Sequence, residues 1–152
     1  AGITMEHDKA VWMQELSDFV TEKGLSGREV ILYGDIPAVS FYLGMPSAFN
    51  PWSDLASYGI EVMRKDMEKT QAKEILPVVI LEKRYAIYLK DGEEGLQNAG
   101  YAESDISYVA RDEKFKLIEE FLENNGCSLI FENEKFGVYD TFSIQSGSNL
   151  VQ

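Results

Sequence analysis

The unbroken apolar run Val30-Ile-Leu-Tyr33 constrains this chain more than any other feature. A strand that is wet on one side alternates apolar and polar residues, so a continuous run suits a strand covered on both faces. Covering both faces takes helices in two layers, which points to an α/β architecture. The run passes directly into Gly34-Asp-Ile-Pro37, where strand pairing ends. It continues through Phe41 to Tyr58 in a loop dense with aromatics, prolines and small residues. In α/β proteins the carboxyl ends of strands are where binding surfaces form.

The remaining elements follow from periodicity and punctuation. Trp12, Leu16, Phe19 and Val20 recur at helical spacing, which predicts an amphipathic helix over 8–23, with Asp8 as N-cap and Gly24 as the stop. Pro37 suits the first position of a short helix over 38–43. A longer helix is expected from Asn50-Pro51 or Ser53-Asp54 to about residue 72, its apolar face carrying Leu55, Tyr58, Val62 and Met67. Leu76-Pro-Val-Val-Ile-Leu81 reads as a second buried strand. Residues 83–111 read as an irregular excursion, with Tyr85–Leu89 as strand or packed loop and the glycines around it as turn chemistry. A helix over 112–125, capped by Asp112 and stopped by Gly126, leads to a third strand at Cys127–Glu132. Asn133-Glu-Lys135 turns into a fourth, Phe136–Thr141, returning antiparallel. The expectation is one α/β domain over 1–142, a three-layer α/β/α sandwich on a mixed, mainly parallel sheet of about four strands. Its first three strands should be parallel at the centre, its closing antiparallel hairpin at the edge. Residues 143–152, rich in Ser, Gln, Gly and Asn, read as a loose tail.

Charge excludes some functions. With 14 basic and 26 acidic residues the net charge is −12, which repels phosphate backbones and anionic lipid surfaces. Nucleic-acid binding is therefore not expected. One cysteine, Cys127, rules out an internal disulfide, and with the lone His7 it gives no metal spacing. Cys127 reads as a small core residue. No cofactor is expected: Gly34-Asp-Ile-Pro lacks the further glycines of a dinucleotide loop, and there is no phosphate-binding loop, nucleophile elbow or zinc helix. No apolar run has the length of a membrane span, and no signal-peptide pattern is present. The opening Ala1-Gly-Ile-Thr suits a piece of a larger protein.

What chemistry remains lies in carboxylates and aromatics. Asp35 and Asp54 are readable either as a carboxylate pair acting on a sugar or phosphate, directly or through Mg²⁺, or as a turn and helix-start pair. Phe41, Tyr42, Phe49, Trp52 and Tyr58 are readable as a sugar-stacking platform or as packing between loop and sheet. Lys83-Arg84 is readable as an anion site or a solvated pair. No catalytic residue is assigned. Tyr33, Asp35, Ser47, Trp52, Asp54 and Tyr58 are the candidate binding or interface residues.

Tyr33-Gly-Asp-Ile-Pro through Pro51-Trp-Ser-Asp-Leu-Ala-Ser-Tyr58, Pro77-Val-Val-Ile80, Phe131-Glu-Asn133 and Val138-Tyr139 together resemble a carboxy-terminal, extracytoplasmic segment of bacterial multi-pass membrane proteins similar to polytopic glycosyltransferases that use lipid-linked sugars. The resemblance implies a non-catalytic domain on the extracytoplasmic face of the cell membrane. Its implied partners are the membrane region of the same polypeptide and a glycan or lipid-linked sugar. Catalytic acids of such proteins are expected in loops between membrane helices, so none carries over to this chain. The alternative from the residues alone is a free-standing small α/β enzyme acting on a phosphorylated or glycosidic substrate through Asp35.

Overall fold

The computed structural model describes residues 2–141, with side chains from residue 10 onward. The expected tail at 143–152 lies outside the described residues. In chain order the elements are α1 (Gly2–Glu22), β1 (Val30–Tyr33), α2 (Ala38–Leu43), α3 (Ile60–Gln71), β2 (Val78–Glu82), α4 (Lys83–Asn98), α5 (Glu103–Ala110), α6 (Glu113–Asn124), β3 (Ser128–Glu132) and β4 (Phe136–Asp140). No helix among the described residues is long and apolar enough to cross a membrane.

The four strands form one mixed sheet in the order β1-β2-β4-β3. β1 and β2 are parallel, Val30 opposite Val78 and Tyr33 opposite Leu81. β4 is antiparallel to both β2 and β3, so β1, β2 and β3 point the same way and β4 runs against them. The two faces alternate as the pleat requires. Ile31, Tyr33, Val79, Leu81 and Tyr139 join side chains of α3, α4, α5 and α6 in one core. Val30, Leu32, Val78, Ile80, Phe136 and Val138 join α1 and α2 in the other. The result is the α/β sandwich expected, with a layer of helices on each side of the sheet.

Two points differ from expectation. The sheet is mixed but not mainly parallel, because β4 inserts between β2 and β3 and leaves β1–β2 as the one parallel pairing among the described strands, and the places of β3 and β4 are exchanged. β3 was expected at the centre and β4 at the edge; the structure reverses them. Every residue of β4 is buried, whereas β3 is exposed or half-buried along its length. Gly137 permits the inner position, since a Cβ there would sit 2.9 Å from the Ala86 Cβ of α4. β3 has the marks of an edge: polar Ser128 and Glu132 at its ends and a register shift between Leu129 and Phe131.

Helix boundaries bring further corrections. α1 already begins at Gly2, so Asp8 lies inside it and is not its N-cap. Its end is as expected: Gly24 is left-handed at φ 67°, with Gly24 N–H donating to Thr21 O and Leu25 N–H to Val20 O. Gly126 ends α6 in the same way. α3 starts only at Ile60, after an extended Gly59; residues 51–58 form turns. Local side-chain bonds compete with a helix there. Asn50 Oδ1 accepts from Trp52 N–H at 2.9 Å, and Ser53 Oγ–H donates to Leu32 O. The buried face of α3 is Met63, Met67 and Thr70, while Leu55 and Val62 are exposed. Residues 83–111 are helical, not irregular: α4 is broken at Gly92 and α5 follows. Tyr85, Ala86 and Leu96 are pulled into the core, so packing overrides the strand-like composition of Tyr85–Leu89.

Candidate functional site at the carboxyl ends of β1 and β2

Tyr33 closes β1 and is fully buried. Its hydroxyl donates to Asp112 Oδ2 at 2.6 Å, and the Tyr85 hydroxyl donates to the same oxygen at 3.1 Å. Asp112 Oδ1 accepts from the amides of Lys114 and Phe115, capping α6 as its position predicts. Both oxygens of Asp112 are therefore engaged. Burial, then the adjacent carboxylate, holds the Tyr33 and Tyr85 hydroxyls far above the usual tyrosine range. Tyr33 packs on Tyr85 and Phe115, with ring centroids 5.0 and 5.9 Å away. Tyr33 is thus a structural anchor beneath the site.

The next residue, Gly34, has φ 108°, and a Cβ on it would lie 2.4 Å from the Glu82 Cβ at the end of β2. This close approach lets Glu82 tie the two strand ends together. Glu82 Oε1 accepts from Asp35 N–H at 3.1 Å and from Arg84 Nε at 3.1 Å, and Oε2 faces Lys135 Nζ at 4.0 Å. Lys83 pairs with Glu132 at 3.0 Å. The Lys83-Arg84 pair is therefore consumed by internal partners rather than presented to an anion.

Lys114 supports the loop. Its ammonium donates to the carbonyls of Ser53, Leu55 and Tyr58 at 2.6, 2.7 and 2.9 Å. Burial lowers its pKa, opposed by the charges of Asp112 and Asp54. A lysine in the first turn of a helix opposes the macrodipole, so this position carried a sequence signal for a special partner.

The six candidate residues divide evenly. Asp35, Trp52 and Asp54 lie towards solvent. Asp35 is exposed, and its carboxylate makes no hydrogen bond among the described residues. Trp52 is 50% exposed. Asp54 is half-buried; burial first, then the charges of Asp35 and Glu82, raises its pKa against the pull of its own amide and Lys114. The other three are structural. Ser47 lies in a backbone bridge along the outer edge of β1, where Val30 N–H donates to Pro46 O and Ala48 N–H to Val30 O. Tyr58 is buried, stacks on Phe49, and donates its hydroxyl to Asp66 at 2.5 Å. Ser53, Glu82, Asp112 and Lys114 organise the site but were not among the candidates, since their contacts span 21 to 79 positions of sequence.

Among the described residues no cluster of three or more His, Cys, Asp or Glu could hold a metal ion. Cys127 is half-buried, packed against the larger core, and burial pushes its thiol up to about 11. Beside the loop runs an open groove of about 680 Å³ between Tyr58–Ile60 and the start of α6, with α5 along its length. Comparison with protein-family models, with curated proteins and with solved structures gives no match.

Proposed function

We propose that this chain is a non-catalytic extracytoplasmic domain of a glycosyltransferase-like multi-pass membrane protein. Residues 34–58 form the face that meets the membrane part, a glycan acceptor or a protein partner. The observation that carries this reading is the contrast between engaged polar groups and unengaged apolar ones. Asp112, Glu82, Lys114 and Ser53 are all consumed in holding the loop. Phe41, Tyr42, Trp52 and Leu55 are left 92%, 53%, 50% and 45% exposed. Exposed aromatic and aliphatic side chains on a braced loop suit contact rather than bond-making.

A second reading draws support from the acids. The Asp35 carboxylate, exposed and without a hydrogen bond among the described residues, lies close enough for its charge to help raise the pKa of Asp54, and neighbouring carboxylates flank the scissile bond in glycoside hydrolysis. The two readings predict different things. On the first, Asp35→Ala and Trp52→Ala weaken glycosyl transfer by the parent membrane protein while thermal unfolding of this chain is unchanged. On the second, the purified chain turns over a sugar-phosphate or glycoside panel, and Asp35→Asn abolishes it. Full activity of the parent protein with both substitutions removes the loop from the function.

A further inference from the structure

The groove beside the loop has a built character that the residues above do not use. Ser104, Ser107, Tyr108 and Arg111 recur at i, i+3, i+4 and i+7, so they form one stripe along α5, and all four line the groove. The opposite face of α5 is core, through Ile106 and Val109. The helix therefore turns a stripe of two hydroxyls, one aromatic ring and one guanidinium towards the loop segment 56–60 across the groove.

These groups are available. The side chains of Ser104, Ser107 and Arg111 make no hydrogen bond or ion pair among the described residues. Tyr108 is 53% exposed, and Arg84 lies over its ring at 5.7 Å from the centroid, which holds the ring against a cation on that side. By contrast Asp112 is engaged by two tyrosines and two amides and Lys114 by three carbonyls, while Glu113 at the rim is exposed.

Charge selects the ligand. The lining carries two cations, Arg111 and Lys114, and two anions, Asp112 and Glu113, which cancel. The chain as a whole carries −12, which works against an anionic ligand. A neutral polyhydroxylated ring fits what is offered. Its electropositive C–H face complements the negative face of Tyr108, and its hydroxyls both donate and accept, matching Ser104, Ser107 and the fork of Arg111. The volume lies within the roughly 300–1,000 Å³ of small-molecule sites.

We propose that this groove binds a neutral glycosyl unit, stacked on Tyr108 and hydrogen-bonded by Ser104, Ser107 and Arg111. This deepens the glycan-contacting arm of the function proposed above and rests on it for the source of the sugar. The test is an NMR titration of the isotopically labelled 152-residue chain with neutral methyl glycosides and, separately, with inorganic phosphate. Saturable shifts confined to residues 56–60 and 104–114, with Kd on the order of 1–10 mM for a single sugar, are expected. Tyr108→Ala and Arg111→Gln should each weaken binding roughly tenfold, the size of loss that truncating a stacking or hydrogen-bonding group gives, with an unchanged thermal midpoint. No saturable shift with any glycoside up to about 50 mM overturns the proposal, as does unchanged affinity in Tyr108→Ala. Saturable binding of phosphate in place of the glycosides overturns the neutral-ligand assignment. Because this readout is direct binding, it stands or falls separately from the transfer assay on Asp35 and Trp52.

Discussion

At the scale of single residues, one ion pair ties together the strand ends opposite the candidate site. Arg28 forms a two-pronged pair with Asp140, Nη2 to Oδ1 at 2.8 Å and Nη1 to Oδ2 at 3.1 Å, and Nη2 also donates to Leu76 O at 2.7 Å. Asp140 is fully buried and Arg28 retains 22% exposure. The guanidinium thus joins the approach to β1, the approach to β2 and the end of β4. Removing one partner strands a buried charge, so Asp140→Asn should cost towards the lower end of about 3–5 kcal/mol in denaturant unfolding, because Arg28 keeps some water. Arg28→Met combined with Asp140→Leu should cost markedly less than the single change. Asp54 makes a prediction of opposite sign. Its pKa is raised in the folded chain, so the native state binds the proton more tightly than the unfolded state. Its contribution therefore favours folding at low pH and is lost as pH rises from the usual aspartate range through the raised value. Asp54→Asn should raise the melting temperature at pH 7. Calorimetry across pH 3–7 should show that gain shrinking as the acid becomes protonated.

At the scale of elements, the loop 51–58 is held by a helix it does not belong to. Three of its carbonyls meet the ammonium of Lys114, and a fourth bond ties Ser53 to β1. Replacing Lys114 with methionine keeps the stem and leaves three carbonyls, two of them in part-buried contacts, without their donor, a loss of charge-assisted bonds worth about 1.5–3 kcal/mol each at most. The expected outcome is faster amide exchange across 51–58 with β1 and α6 still protected. Equal protection in the variant would show that the loop is held by packing alone. Contacts of this kind also explain what sequence reading reached. The cap of α6 and the stops of α1 and α6 were legible because caps are local: Asp112, Gly24 and Gly126 act within four residues. The start of α3 was not, because Asn50 and Ser53 look like helix-start residues until their side chains are seen turned onto Trp52 and β1. α4 was hidden by Gly92, whose φ of 66° breaks the periodic pattern in the middle. Of the candidate residues, Asp35, Trp52 and Asp54 were singled out by their place after a buried strand, but the sequence left open whether they pack or face solvent; Asp35 and Trp52 are exposed and Asp54 is half-buried. Tyr33 and Tyr58 sat in segments already read as buried, but the hydroxyl partners that make them anchors, and the bridge that fixes Ser47 beside β1, were not visible in the sequence.

At the scale of the whole molecule, the sheet divides the interior into two cores that share no side chain. The position of β4 makes them one structure, because it contributes Tyr139 to one face and Phe136 and Val138 to the other, between β2 and β3. That central place could not be read from the chain, since β3 and β4 are both short apolar runs and only their pairing with β2 distinguishes them. A prediction follows from two cores on one sheet. Leu32 is 2% exposed in the α1–α2 core and Ile118 is fully buried in the α3–α6 core. Each truncation to alanine should cost about 2–5 kcal/mol, the range for large-to-small changes in a packed interior. Because the two sites touch different neighbours across the sheet, the double variant should lose the sum of the two to within about 0.5 kcal/mol. Each variant should still unfold in a single transition by both tryptophan fluorescence and far-ultraviolet circular dichroism, since neither helical layer can bury its face without the sheet. A separate early transition in Leu32→Ala, with the second core intact, would show that the α1–α2 layer is an independent unit. The sheet would then be stabilised chiefly from its α3–α6 side.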